Sequence, residues 1–287
     1  MKPASFAYHA PATLDDALSV LAEVAPQDGR VLAGGQSLVP TMAFRLSRPA
    51  HLVDINAVNG LDRLTVDGQE LSIGACVRHA AFHRPVAEGP LGRLLASVVR
   101  HIAHYPIRVR GTFCGSLAHA DPASEWCLVA ATLGATMTLR SAKGARAVAA
   151  DDFLQGALMT ALKDGELLTE TRLPVLGADT RFGFAEFSRR AGDYAIAMAL
   201  ATFRVSGGRI ADARLGIGGA EGRARRLREA EAALNGRAPD AAAFRAAADA
   251  AAAAVDPMDD AQATAGYRRD LVRAVTTRAL EHAAGRA

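Results

Sequence analysis

The sequence predicts an α+β fold, on three observations. Strand, loop and helix alternate as far as Ala57; hairpin signals and separate helices follow; and past Pro174 to Thr180 the pattern restarts as apolar runs ahead of alanine-rich helices. At 287 residues the chain is long enough for two domains, and its core needs no metal or disulfide staple.

Residues 6–11 lead in. Thr13 is a natural N-cap, with Asp15 and Asp16 in the first turn of a helix that ends before Pro26. Residues 30–33 read as a buried strand, residues 38–44 as a short helix and residues 51–55 as the next strand. Leu64-Thr65-Val66 and Leu71-Ser72-Ile73-Gly74-Ala75 flank Asp67-Gly68, a hairpin signal. Residues 80–87 and 91–103 are helical in composition, with Pro106 as the stop. Asp121 caps a helix with Pro122 at its first position and Glu125 close behind, running to about Leu133. Strands follow at 135–140 and 166–173. After a boundary at residues 174–180, apolar runs at 182–189 and 195–205 precede an alternating strand at 209–216. Helices at 223–234, 241–254 and 265–284 close the chain, their alanines reflecting helix propensity.

Composition excludes several functions. With 33 basic against 30 acidic residues and 5% aromatics, the chain lacks the basic stripe that nucleic acid demands. Arg223, Arg225, Arg226 and Arg228 read as the solvated face of a helix. Cys76, Cys114 and Cys127 form no C-x-x-C pair, so neither a disulfide framework nor a four-thiolate cluster is expected. No stretch has the length of a transmembrane span and no signal peptide is apparent, which together predict a cytoplasmic protein. His79 with His83, and His101 with His104, sit at helical spacing without the glutamate of H-E-x-x-H, so both read as ordinary helix histidines and no metal site is predicted. Gly216-Ile217-Gly218-Gly219-Ala220-Glu221-Gly222 does not follow G-x-G-x-x-G and reads as a glycine-rich turn.

Two stretches point to a ligand. Ala33-Gly34-Gly35-Gln36-Ser37 follows Leu32 at the end of a buried strand, and Gly111-Thr112-Phe113-Cys114-Gly115-Ser116 precedes the helix start at Asp121. Glycine lets backbone N–H groups approach an anion, and hydroxyls complete its shell, so the pair suggests a split cradle for a diphosphate. A Gly-Gly after a strand is also a common connection. On residue chemistry alone the two readings stand level.

With these stretches and Ser188-Arg189-Arg190-Ala191-Gly192-Asp193-Tyr194-Ala195 assembled, the chain resembles, end to end, the FAD-binding medium subunits of the molybdenum hydroxylases, the group of aerobic carbon monoxide dehydrogenase and xanthine dehydrogenase. The most specific part is Arg110 to Glu125. The resemblance implies a two-part FAD-binding domain of the vanillyl-alcohol-oxidase-like (PCMH) type over residues 1–176, with subdomains at about 1–57 and 58–176, and a smaller α+β domain of the CO dehydrogenase flavoprotein type over 177–287. It implies that Leu32, Ala33, Gly34, Gly35, Gln36 and Ser37, with Thr112, Phe113, Cys114, Gly115 and Ser116, hold FAD at its diphosphate, that Asp121 and Glu125 lie near the ribityl chain or turn, and that Leu168 and Tyr194 lie near the ring. No residue of the chain is expected to be catalytic. The implied role is an electron-transfer subunit, taking electrons from two [2Fe–2S] clusters of a small subunit, with a molybdenum-pterin large subunit doing the substrate chemistry, in a dimer of heterotrimers. A stand-alone FAD oxidase or reductase and a flavin-free assembly subunit are the alternatives. Two departures stand out: Cys114 where many members have glycine, strained if the turn needs φ > 0, and Ala185-Glu186 where several have a lysine near the flavin.

Overall fold

The computed structural model describes residues 2–286. Its first sheet is parallel, in the order β1-β3-β2, from β1 (Ala7–His9), β2 (Gly29–Leu32) and β3 (His51–Asp54). Between β1 and β2 runs α1 (Leu14–Val24), whose N-cap Thr13 accepts from the Asp16 N–H at 3.1 Å. Ala17, Leu18, Leu21 and Val24 form its buried stripe. Pro26 sits in a 3-10 turn after it. The helix α2 (Leu38–Ala43) connects β2 to β3.

The second sheet is antiparallel, ordered β4-β5-β10-β6-β7. Its members are β4 (Leu64–Asp67), β5 (Glu70–Gly74), β6 (Thr136–Ser141), β7 (Gly144–Ala149) and β10 (Leu167–Pro174). Between β5 and β6 lie α3 (Gly89–Val98), α4 (Tyr105–Arg108), α5 (Phe113–His119) and α6 (Glu125–Leu133). The short α7 (Ala150–Phe153) and the ribbon of β8 (Leu154–Gly156) and β9 (Met159–Thr160) fill the way to β10.

The C-terminal part is a four-stranded antiparallel sheet of β11 (Arg181–Phe187), β12 (Ala197–Ser206), β13 (Arg209–Gly218) and β14 (Arg225–Arg226). Its helices are α8 (Arg228–Leu234), α9 (Ala241–Ala254) and α10 (Ala265–Ala283). Strand alternation divides this sheet between two cores. Phe184, Met198 and Leu200 face the core of the N-terminal part, whereas Ala185, Ala197, Ala199 and Ala201 face the C-terminal helices. The helix α6 is buried from Trp126 to Leu133 because it is apolar all round and lies against that sheet. The glycine stretch of residues 216–222 finds its reason here. A Cβ on Gly216 would collide with Thr132 of α6, one on Gly218 would meet the Pro122 carbonyl at 3.3 Å, and the Gly219 N–H donates to that carbonyl at 2.8 Å.

Several expected elements differ. The helix expected at 80–87 is a 3-10 segment, His79–His83, cut short before Pro85. The next helix stops at Val98; Ala103 has φ +41°, and Pro106 lies in the first turn of α4 instead of stopping a helix. Asp121 is not an N-cap. Ser124 caps α6 by accepting from Cys127, and Asp121 accepts the Ala123 N–H at 2.8 Å in a turn ahead of it. The arginines at 223–228 do not form a solvated helix face. Arg223 donates to Asp151 and Leu154 carbonyls, Arg225 pairs with Glu221 at 2.8 Å and Arg226 with Glu231 at 2.7 Å, and only Arg228 begins a helix.

Candidate functional site

The two glycine-bearing stretches converge. The end of β2 delivers Leu32, Ala33, Gly34, Gly35, Gln36 and Ser37 to one side of a cavity of about 590 Å³, and Thr112, Cys114, Gly115 and Ser116 line the other side, with Leu168 of β10. That volume suits a cofactor-sized ligand. Gly34 abuts the Arg110 carbonyl, and a Cβ there would stand 2.6 Å from the Gly111 Cα, so only glycine lets the two stretches touch. Gly35 has φ +71°, the left-handed region, where its neighbours require the chain to reverse.

The second stretch is a helix start as well as a turn. Thr112 caps α5, its hydroxyl accepting the Gly115 N–H at 3.0 Å, and a Cβ on Gly115 would sit 2.5 Å from that oxygen. Cys114 is therefore helical, with no positive φ, and the conditional strain does not arise. Its thiol is enclosed between the Ile73 carbonyl and the Thr171 hydroxyl at 3.4 and 3.3 Å, and burial pushes it up to about 12. Phe113 does not reach the cavity. Its ring packs on Trp126 and Phe82, with centroids 4.8 and 5.6 Å away, and its N–H donates to the Val77 carbonyl.

Three residues outside the expected site set hold the stretches together. Arg78 donates to the Arg110 carbonyl and, at 2.6 Å, to Asn56 Oδ1; the Asn56 amide donates on to the Ala33 carbonyl at 2.8 Å. Asn56 is itself set by Asp54, which accepts its backbone N–H at 2.9 Å. His79 lines the cavity, its N–H donating to the Gly111 carbonyl at 3.0 Å, and its Nδ1 accepts the Trp126 indole N–H at 2.9 Å. That bond leaves the ring hydrogen on Nε2. Burial first, then Arg78 and Arg108, pushes His79 down to about 3, so it is neutral. An Asp-x-Asn after a parallel strand is the one local sign that could have flagged Asn56.

The cavity therefore offers donors and little charge. Among the described residues, the backbone N–H groups of Gly34, Gly35, Gln36 and Ser37 reach no protein acceptor, and they line the cavity with the Ser37 and Ser116 side chains. A row of free donors backed by glycine is the environment a diphosphate fits. Leu32, Leu158, Leu162 and Leu168 supply the apolar wall.

Asp121, Glu125 and Tyr194 are not among the residues that line this cavity, and Tyr194, on the loop after β11, is exposed. Burial, then Asp121 and Glu125, raises the Tyr194 phenol above its usual range. Its loop packs closely: Gly192, at φ +85°, leaves no room for a Cβ, which would stand 2.5 Å from His104 Cε1. Among the described residues, no group of three or more His, Cys, Asp or Glu side chains is arranged to hold a metal ion, and no helix is long and apolar enough to cross a membrane.

Residues 4–176 match a family described as the FAD binding domain in molybdopterin dehydrogenase, and residues 182–283 match the CO dehydrogenase flavoprotein C-terminal domain. The nicotine 6-hydroxylase medium subunit of Paenarthrobacter nicotinovorans is 37% identical over 286 residues, covering 100% of both chains. The carbon monoxide dehydrogenase medium chain of Afipia carboxidovorans is 35% identical, over 100% of this chain and 99% of that one. Among solved structures, carbon monoxide dehydrogenase from Hydrogenophaga pseudoflava superposes with a TM-score of 0.95 at 35% identity and full coverage of both chains. Quinoline 2-oxidoreductase from Pseudomonas putida 86 gives 0.92 at 38% identity, covering 100% and 99%.

Proposed function

The chain belongs to the FAD-binding medium subunits of the molybdenum hydroxylases, and from that premise we propose that it is the electron-transfer subunit of a heteromeric complex. In this reading it receives electrons from [2Fe–2S] clusters of a small subunit and hands them to an external acceptor, while a large molybdenum-pterin subunit transforms the substrate. A dimer of heterotrimers in the cytoplasm is the proposed assembly.

When bound, FAD supplies the two-electron carrier that no side chain of this protein provides. The chain's own work is to bind and orient it. Residues 1–176 are proposed as the FAD-binding domain and residues 177–287 as the cover. The N–H groups of Gly34 to Ser37 and the start of α5 would receive the diphosphate, Leu168 would pack near the ring, Asp121 and Glu125 would face the ribityl chain or turn, and Tyr194 would close over the ring from the second domain.

The observation that carries this reading is the convergence of the two glycine stretches, with unpartnered backbone donors, on one cavity. Its test is to purify the chain with its partners and measure FAD, iron and molybdenum per chain, beside Gly115→Asp, whose carboxylate would break the Thr112 cap and face the diphosphate. Loss of FAD from that variant with iron and molybdenum retained supports the assignment; full FAD in Gly115→Asp overturns it.

A further inference from the structure

The face that the C-terminal sheet turns toward the N-terminal part is apolar at Phe184, Met198 and Leu200 and becomes polar at its far end. There Thr202 of β12 stands directly across from Arg214 of β13, so the two share that face, and Arg226 of β14 stands across from Gly216 on the same side. With the linker after β10, these residues enclose a groove of about 620 Å³. No residue lines both this groove and the glycine-bearing cavity.

Charges in the groove are unevenly matched. At the linker end Arg204 is held between Asp212, 2.8 Å from its Nε, and Asp179, 3.4 Å from its Nη1. At the other end the guanidiniums of Arg214, Arg226 and Arg228 have one carboxylate between them, Glu231, and it is already engaged. It takes Arg226 in a two-pronged pair at 2.7 and 2.9 Å and accepts the Leu215 N–H at 3.0 Å. Arg228, its side chain 66% exposed, lies 3.6 Å from it.

Arg214 is partly buried and has no ion pair among the described residues. Its Nη1 donates to the Leu133 carbonyl at the end of α6, while its Nε and Nη2 have no acceptor among the described residues. Two cations without a matching anion thus stand at one end of the groove, beside the side chain of buried Thr202. Guanidinium forks are the donors that grip a phosphoryl group, and a phosphate monoester carries nearly the two negative charges that this end lacks.

We propose that the groove binds a small phosphate monoester of the sugar-phosphate class, its phosphate held by Arg214, Arg228 and the Thr202 hydroxyl. The groove has room beyond a bare phosphate ion, and at its linker end Asp179 and Asp212 offer carboxylate oxygens, which accept from the hydroxyls of such a ligand. The site shares no residue with the cavity assigned to FAD and does not rest on that assignment.

Calorimetric titration of the full chain with FAD added, using ribose 5-phosphate as the probe and ribose as its blank, tests this at low salt. One site per chain is expected for the phosphate, none for ribose, and the affinity should fall as sodium chloride is added. Arg214→Gln and Arg228→Gln should each weaken binding about 10-fold, the loss of one charged hydrogen-bond donor. Should Arg214→Gln fail to fold, Arg228→Gln, altered at an exposed side chain, decides alone. Gly115→Asp, aimed at the other cavity, should leave the affinity unchanged. A weaker affinity in either arginine variant supports the groove. It is overturned by the absence of saturable heat up to about 10 mM, by the wild-type affinity in both arginine variants, or by loss of binding in Gly115→Asp, which would place the probe in the glycine-bearing cavity.

Discussion

Arg78 donates to Asn56 at 2.6 Å, and through that contact the two halves of the cavity wall are one hydrogen-bonded chain, from the Arg110 carbonyl to the Ala33 carbonyl. Neither side chain lines the cavity, so their effect is on its width.

Arg78→Ala should therefore leave a folded chain with a loosened cavity. It removes hydrogen bonds to Asn56 and Arg110 oxygens that are exposed and open to water, so it should cost about 0.5–1.5 kcal/mol and weaken FAD retention more than stability. Denaturant midpoints beside FAD per chain after gel filtration give the comparison; a variant with full FAD would show that the chain does not set the spacing.

Gly34 and Gly35 should respond differently to alanine. At Gly34 the new Cβ meets backbone of Arg110 and Gly111, which cannot give, whereas at Gly35 it meets the flexible ends of Leu32 and Val39 at 3.2 Å but at φ +71°. Gly35→Ala should cost about 1–2 kcal/mol from the left-handed conformation, and Gly34→Ala should part the two stretches and lose more FAD. Equal FAD content in the two variants would contradict the close contact.

Cys114, Cys76 and Cys127 are buried, with thiols raised to about 12, 11 and 12 respectively. Alkylation of the native protein followed by mass spectrometry should label none of them until the chain unfolds. Cys114→Gly should destabilise, not relieve, because it places glycine in a helix at a cost of about 1 kcal/mol and empties a filled site.

Acid should loosen the wall of the cavity at Glu166. Arg146 grips this carboxylate at 2.8 and 2.7 Å and the Lys163 N–H adds a third bond, so its pKa lies below the usual 4.5, with the Arg146 hydrogen bond the leading cause. A depressed carboxyl contributes stability above the unfolded value and loses it as pH falls through the folded one, here below 4.5. With Arg146 partly exposed, Glu166→Gln should cost on the order of 1 kcal/mol at pH 7 and nothing in strong acid. Thermal unfolding against pH reads this directly, and a cost that persists in acid would rule out the ion pair as its source.

Much of the fold could be read from the chain. Thr13 as a cap, the Asp67-Gly68 hairpin and the alternation over residues 209–216 are local signals, and each element formed where its period placed it. The errors arose where two local signals competed. Asp121-Pro122 offers a helix start, yet Ser124, nearer the apolar run, takes the cap; Thr112 to Ser116 reads as a turn because its glycine masks the cap that makes it α5. Of the site, the glycines were legible because backbone approach demands them. Asn56, Arg78 and His79 were not, since each depends on partners brought together only by the fold, 22 positions apart for Arg78 with Asn56 and 47 for His79 with Trp126.

The clash that bars a side chain from Gly216 has a further consequence. Thr132 and Leu128 of α6 fill the space a larger residue would need, so this helix is wedged into the C-terminal sheet while its other side completes the N-terminal core. Cutting the peptide between 175 and 180 would sever the only covalent bridge there without freeing either fragment, because α6 would still be clasped by both; the nicked protein would migrate as one particle and melt as one.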